Sequence, residues 1–361
     1  MSRRGQPMKR STLLIKAAVS LVFFAVLFLF AGRQDLASMF RRVDPVYFAL
    51  SFAIAAAQIS TSCLKWRVLI NLYGDRLGFG FLMRNYLIGY YFTNLMPSNI
   101  GGDVVRSYYA GRRIGSQTHA AISVFMERFT GSLYLLALVI AMPLLKPGLY
   151  ARPAVFIPAL GAAGLLVFFA ALAFWGQGLI RFLNGLIEGL ARRASGAGGR
   201  SLVGRGVKAL LWFRGKSEKI GEKLALTVRL LKENRGAALA VFGLTVLFYA
   251  LTWVNVWLAY RTFGEPAELR GIMSLLATAM LAGSIPITLG SLGIAEGAYV
   301  FYFRFAGIAP AATLAMGLFL RFKLLVVGLV GFILYLTYPH DRFDYERIRQ
   351  EAETGSPGGD S

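Results

Sequence analysis

The sequence predicts an all-α polytopic membrane protein with about six full spans and two re-entrant broken-helix hairpins arranged as an inverted repeat. Hydrophobic residues make up 56% of the 361 residues, and the mean hydropathy is +0.57. Both values are too high for a soluble domain. The net charge of +21 is carried by bases between the apolar runs, where the positive-inside rule accounts for them. The basic charge therefore predicts membrane topology, and it predicts no nucleic acid partner.

Six apolar runs are long enough to cross a bilayer as helices, which takes about 20 residues each. They occupy residues 13–31, 46–64, 119–145, 154–175, 237–260 and 311–337. A signal peptide is the alternative for the first run, but LFLFAGRQ lacks a small-x-small cleavage site, which favours a retained span. The second run ends at Lys65, Trp66 and Arg67, which we expect at the inner face of the membrane.

The charged segments between the runs predict the sidedness of the chain. Basic residues in 1–12 predict a cytoplasmic N-terminus, followed by a first membrane half over 13–175. The strongly basic loop 176–236 is predicted to be cytoplasmic, either as a solvated connection or with amphipathic helices at an anionic leaflet. The second membrane half covers 237–338. The polar tail 339–361 ends in GSPGGDS and is predicted to be disordered in the cytoplasm.

The first interrupted run, near 81–109, contains a break inside otherwise lipid-like sequence. Pro97 ends the incoming helix, Gly101 and Gly102 allow the backbone to turn, and a new helix begins at Asp103. In hydrocarbon every backbone N–H and C=O needs an internal partner, so broken helices occur where they are buried in protein or line a wet cavity. Bases on both flanks predict that this segment enters from the cytoplasmic side and returns to it.

The second interrupted run, near 272–306, repeats the pattern of the first. Pro286 is followed four positions later by Gly290, and Gly293 and an acid, Glu296, come next. The predicted sidedness makes this segment enter from the outer side, so the two halves have opposite topology. Interrupted segments at matching places in two inverted halves indicate a transporter binding site. Two alternatives remain: the loops are alike by chance, or each arm is a full short crossing.

Charged residues inside apolar runs are costly in a bilayer and are therefore candidates for a functional site. The arginines are predicted to bind an anionic headgroup, because arginine suits bidentate contact with phosphate. The acids either belong to this site or act as helix caps and internal ion-pair partners. Since neighbours in a helix point about 100° apart, Glu127 is expected to pair with another element rather than with Arg128. The predicted substrate-binding residues are Arg106, Arg128, Arg321, Gly101, Gly102, Asp103, Glu127, Gly290, Gly293 and Glu296, with Pro97 and Pro286 as hinges.

The sequence contains no pattern that predicts an enzyme, a metal site or a cofactor. Cys63 is the single cysteine, and His119 and His340 are the two histidines, neither of them in a metal-binding pattern. No HExxH motif, Walker loop or GxSxG elbow is present. We therefore expect no catalytic residue, no metal and no cofactor.

Two blocks of sequence occur in order around the breaks: NLMPSNIGGDVVRSYYAGRRIG with VFMERF, and SIPITLGSLGIAEGAYVFYFRFAGI with the downstream Arg321. They resemble the transmembrane region of lysylphosphatidylglycerol synthases, which is shared with the stand-alone UPF0104 or YbhN-like integral membrane proteins. The resemblance covers the membrane part from the first span to about Tyr338. It implies a flippase-like protein of the bacterial inner membrane with both termini in the cytoplasm.

In the synthases this region is similar to a flippase that moves aminoacylated phospholipid to the outer leaflet, and relatives are associated with polyprenyl-linked sugar or hopanoid handling. Too few residues follow the last span for a soluble aminoacyl-transfer domain, so we do not expect lysyl-lipid synthesis. The predicted function is translocation of an anionic, glycosylated or isoprenoid lipid between leaflets, with membrane phospholipid or isoprenoid lipid as the partner.

Two other functions stay open at the level of the sequence. One is a membrane-embedded lipid-modifying transferase with Asp103, Glu127 or Glu296 as general base. The other is a non-catalytic protein that recruits lipid-biosynthesis enzymes through its basic loop. A homo-oligomer is compatible with either.

Overall fold

A computed structural model describes residues 41, 43–74, 76–95, 101–171, 226–284 and 291–337. All regular secondary structure in these residues is helical. Several predictions therefore lie outside the described residues: the first span, most of the basic loop, the tail, and the two hairpin tips with Pro97, Pro286 and Gly290.

Five long apolar helices confirm five of the predicted spans. They are α1 (Pro45–Ile70), α4 (Gln117–Ala141), α5 (Pro153–Ala171), α6 (Arg235–Thr262) and α9 (Pro310–Leu336). At about 1.5 Å per residue, each except α5 exceeds the ~30 Å of a hydrocarbon core, and α5 nearly matches it. Large apolar side chains on α5, such as Val167 and Phe168, are exposed. An exposed apolar surface of this kind belongs in lipid.

Two pairs of shorter helices form the predicted hairpins. The first pair is α2 (Phe79–Leu95) and α3 (Gly101–Ile114), and the second is α7 (Leu269–Gly283) and α8 (Ile294–Phe303). Within each pair the two helices pack against each other. The arms hold 17, 14, 15 and 10 residues, so all of them span less than ~30 Å. The second pair, whose helix ends all lie within the described residues, favours re-entrant arms over full crossings.

The packing of the helices has the symmetry of an internal repeat. Helix α1 packs on α2 and α4, and in the second half α6 packs on α7 and α9. Across the halves α1 packs on α6, while α2 packs on α9 and α7 packs on α4. Gly115 and Gly307 end the two hairpins, and both have a left-handed backbone, with φ of +70° and +78°. Exchanging the two halves therefore preserves each of these helix contacts.

A buried polar cluster joins the two halves. Asn255 of α6 accepts from Ser51 of α1 at 3.1 Å and donates to Gln58 of α1 at 2.6 Å. Lys323 of α9, 3% exposed, donates to Ser51 at 2.6 Å and to Asn255 at 2.5 Å. Gln58 also donates to Thr252 at 2.9 Å. These bonds satisfy polar groups that would otherwise be costly inside a bilayer.

The helix of the second span extends past its predicted end at Lys65, Trp66 and Arg67, and the first two of these residues lie in the core. Helix α1 continues to Ile70, and both side chains are buried inside the bundle. Trp66 donates through its indole N–H to Ser123 of α4 at 3.0 Å. The contact with α4 keeps these residues in the core. The positive charge of Lys65 does not predict this position from the sequence, where it is typical of the end of a span.

Glycines set the close approach of the two arms in each hairpin. A Cβ at Gly102 of α3 would overlap the carbonyl oxygen of Gly89 in α2, and a Cβ at Gly89 would lie 3.0 Å from the oxygen of Gly102. In the second hairpin, a Cβ at Gly283 would lie 3.0 Å from the Cα of Ala295. Two helices can approach this closely only where the side chain is absent.

We expect Gly102→Ala to destabilise the first hairpin by about 1–3 kcal/mol, because the added methyl group overlaps backbone that cannot rotate away. The apparent Tm of the purified protein in detergent measures the effect. Gly164→Ala is the matched control, since nothing lies within 4 Å of a Cβ at that position. Equal Tm values for the two variants would contradict the close approach of α2 and α3.

Candidate functional site

A cavity of about 400 Å³ lies where the first hairpin meets helices of both halves. Phe248 and Tyr249 of α6, Met280 of α7 and Leu324 of α9 form its apolar wall. The charged residues of its wall are three bases and two acids: Lys65, Arg106, Arg128, Asp103 and Glu127. Ionisable residues on membrane helices that face an internal cavity are expected at a functional site.

Arg106 of α3 contacts two acids and two aromatic rings. Its side chain donates to Glu127 of α4 at 2.5 Å and lies 2.9 Å from Asp103. The guanidinium also lies over the rings of Trp66 and Tyr86, at 5.0 and 4.6 Å from their centroids. The Tyr86 hydroxyl donates to the second oxygen of Glu127 at 3.0 Å. With Arg106 2% and Glu127 5% exposed, this group acts as a buried clamp between α3 and α4.

Arg128 is the accessible arginine of the cavity. Its side chain is 57% exposed, and it contacts Asp103 in a bidentate manner, with Nε to Oδ2 at 3.0 Å and Nη2 to Oδ1 at 3.0 Å. Asp103 therefore bridges Arg128 and Arg106. A phosphate group can make the same two parallel contacts with a guanidinium.

The second half contains an equivalent pair. Arg321 contacts Glu296 with Nε to Oε1 at 2.5 Å and Nη2 to Oε2 at 3.4 Å. Asp103 and Glu296 are each the third residue of their hairpin arm, and the acid and the arginine are 25 positions apart in both halves. The repeat predicted from prolines and glycines therefore extends to a matching ion pair.

Glu296 also acts as a helix cap. One of its oxygens accepts from the backbone N–H of Gly293 at 2.7 Å, at the start of α8. Gly293 has a φ of +83°, a conformation that glycine adopts without strain. Glu296 is therefore both a helix cap and an ion-pair partner, in agreement with the alternative interpretation of the acids. Glu127 and Asp103 are also ion-pair partners.

The structure brings together most of the predicted residues of the first half. Gly102, Asp103, Arg106, Glu127 and Arg128 all line the cavity, and Gly101 is buried at the start of α3. Arg321, Glu296 and Gly293 form a separate group that does not line it. The expectation that Glu127 pairs with another element is confirmed by its contact with Arg106. Roles in substrate binding stay predictions for all of these residues.

Sequence reasoning missed several lining residues, above all Lys65, and also Tyr90, Thr93 and Ser132. Lys65 follows a long uncharged run and resembles the end of a span. Lys65 lies three positions after Ser62 and four after Thr61, which places the three polar side chains on one face of α1. This spacing is the one signal in the sequence that indicates a polar, inward-facing surface at Lys65. Among the described residues, no cluster of His, Cys, Asp or Glu forms a candidate metal site.

Comparison with known proteins gives matches over most of the chain. The family model described as Lysylphosphatidylglycerol synthase TM region matches residues 13–331. A UPF0104 membrane protein of Methanothermobacter thermautotrophicus is 22% identical over 319 residues, covering 83% of this chain and 88% of the relative. A second UPF0104 membrane protein of the same organism is 24% identical over 349 residues, covering 91% and 94%. No solved structure matches significantly.

We expect Glu127→Gln to destabilise the protein by about 3–5 kcal/mol, because removing one member of a buried ion pair leaves the other charge uncompensated. The apparent Tm in detergent should fall clearly. Glu233→Gln is the control: Glu233 makes a similar contact with Arg229, at 2.7 Å, but both side chains are exposed, so little change is expected. Similar Tm values for the two variants would disprove the clamp.

Proposed function

We propose that this chain, which belongs to the lysylphosphatidylglycerol synthase TM region family, moves an anionic lipid between the two leaflets of the membrane. The observation that carries the proposal is the cavity between the two halves of a membrane fold, with Arg128 exposed in it. The lipid headgroup passes through this cavity while the acyl chains stay in the bilayer. Anionic phospholipids and phosphate-linked isoprenoid or glycosylated lipids share the phosphate that the site would bind.

The size and charge of the cavity support a headgroup as the ligand. A volume of about 400 Å³ lies within the range of small-molecule sites, roughly 300–1,000 Å³, and suits a headgroup better than acyl chains. Three bases face two acids, which is a formal excess of one positive charge. One phosphate monoanion would neutralise it, so the site favours anionic over neutral headgroups.

The contact between Arg128 and Asp103 suggests how the ligand binds. Asp103 already holds Arg128 in a bidentate geometry, and it has a second partner in Arg106. A phosphate can replace Asp103 at Arg128 while Asp103 keeps its contact with Arg106. The half-buried acid is then never left unpaired, which keeps the cost of the exchange low.

The inverted arrangement of the hairpins supports transfer between leaflets. Inverted repeats place two broken helices around a site near the middle of the bilayer, and one half rocks against the other. The chain carries no ATP-binding motif, so in this proposal a lipid gradient or a coupled ion supplies the energy. We also propose the cytoplasmic membrane as the location, with both termini in the cytoplasm.

We expect the purified protein in liposomes to exchange fluorescent phosphatidylglycerol between leaflets, as measured by dithionite quenching. Arg128→Gln should slow the exchange about tenfold or more, the effect of losing one charge-assisted contact. Because Arg128 also pairs with Asp103, the apparent Tm of the variant in detergent separates this effect from a folding defect. Arg229→Gln removes an exposed arginine from an ion pair on 226–233 and should leave exchange unchanged.

Unchanged exchange in Arg128→Gln would remove this residue from the mechanism. No exchange by the unaltered protein would contradict translocation and favour a recruiting role. A chemically modified lipid on thin-layer chromatography would favour a transferase instead.

The proposed orientation predicts opposite accessibility of two loops in a Cys63→Ala background. Gly148→Cys, between α4 and α5, should react with an impermeant maleimide from outside, and Lys232→Cys, before α6, should react only after the membrane is opened. Both positions are exposed. Reaction of both from the same side would contradict the topology.

A further inference from the structure

Lys65 of α1 is a buried cation in the wall of the cavity. It is 6% exposed, and the hydrogen bond that the structure describes for its ammonium group goes to Thr245 of α6, at 3.3 Å. A Cβ built on Gly131 of α4 would lie 3.5 Å from the same nitrogen. The ammonium group therefore lies beside a position without a side chain, on a surface that faces the cavity.

The other two cations of the cavity are already neutralised. Arg106 is paired with Glu127 and Asp103, and Arg128 is paired with Asp103. Within the described part of the chain, Lys65 forms no ion pair with a carboxylate, and its one neutral partner is at the long end of hydrogen-bond distance. The excess positive charge of the cavity is therefore located at Lys65.

The surroundings of Lys65 suit a phosphate oxygen. An ammonium group is a compact point charge with three donors, and lysine is a common phosphate ligand. Ser62 lies one helical turn before Lys65 and lines the same cavity, so its hydroxyl can donate to the same anion. Among the described residues this buried amine has one weak neutral partner, so an anion would complete the site.

We propose that Lys65 binds the phosphate group of the translocated lipid directly, deeper in the cavity than Arg128. This assignment rests on the proposed function and names the residue at which the headgroup is selected. Arg128, which is exposed, receives the phosphate first, and Lys65 holds it once Asp103 has returned to Arg128. Lipids without a phosphate or an equivalent anion are rejected because the buried ammonium group then stays uncompensated.

Lys323 provides a matched control within the same chain. It is also a lysine buried in a membrane helix, 3% exposed, but it donates to Ser51 and Asn255 at 2.6 and 2.5 Å. It does not line the cavity. The two buried lysines therefore differ in one property. An anion in the cavity can reach the ammonium group of Lys65, whereas the ammonium group of Lys323 does not face the cavity.

The test is isothermal titration calorimetry of the full-length protein in maltoside micelles with dihexanoyl-phosphatidylglycerol. Lys65→Met keeps the length of the side chain and removes the charge, and we expect affinity to fall about tenfold or more. Lys65→Arg should retain most of the affinity for the lipid, and Lys323→Met should change this affinity less than about twofold. Gly131→Ala is a second variant that keeps the charge but narrows the site, and it should weaken binding several-fold.

Inorganic phosphate provides a second titration. Competition between phosphate and the lipid supports a site for the phosphate group itself, whereas binding of phosphate without binding of the lipid would overturn the assignment to a lipid. Unaltered affinity in both Lys65→Met and Gly131→Ala would overturn the role of Lys65. Leaflet exchange by the unaltered protein is measured separately. If the unaltered protein exchanges lipid, the proposed function stands even where the role of Lys65 is overturned.

Discussion

The ion pair between the start of each second hairpin arm and the span that follows it is the interaction on which this structure depends. Asp103 with Arg128, and Glu296 with Arg321, connect a broken helix to a continuous one at matching places. A broken helix in a membrane leaves backbone groups and charges that lipid cannot satisfy. Each pair neutralises a charge and fixes the arm, so that the break can be kept inside the protein.

The two halves share this pair and differ in what surrounds it. In the first half the pair opens onto a cavity and is backed by the clamp of Arg106 and Glu127. In the second half the acid caps its own helix and is buried, and the arginine is 25% exposed. The two buried lysines are not equivalent positions of the repeat: Lys65 of α1 faces the cavity, whereas Lys323 of α9 donates to Ser51 and Asn255. The two halves therefore share the ion pair, and the cavity described here opens at the pair of the first half.

Glycine and charge act together at the first hairpin. The close approach of Gly89 and Gly102 brings α3 against α2, and this places Tyr86 of α2 within reach of Glu127 and Arg106. Gly102 is therefore both a packing position and a part of the cavity wall. The close approach of the two backbones therefore allows the clamp of Arg106 and Glu127 to be buried.

Periodicity, composition and spacing determined much of this protein from the sequence alone: the membrane class, the described spans, the paired breaks and the residues of the ion pairs. Such features are local, since a run of apolar residues or a proline acts on the backbone wherever it occurs. The partners of the charges were decided only by tertiary structure. Glu127 meets Arg106 across two helices, and Lys65 lies in the core although its position in the sequence resembles a span end. Side-chain partners depend on which helix faces come together, and that depends on packing between segments far apart in the chain.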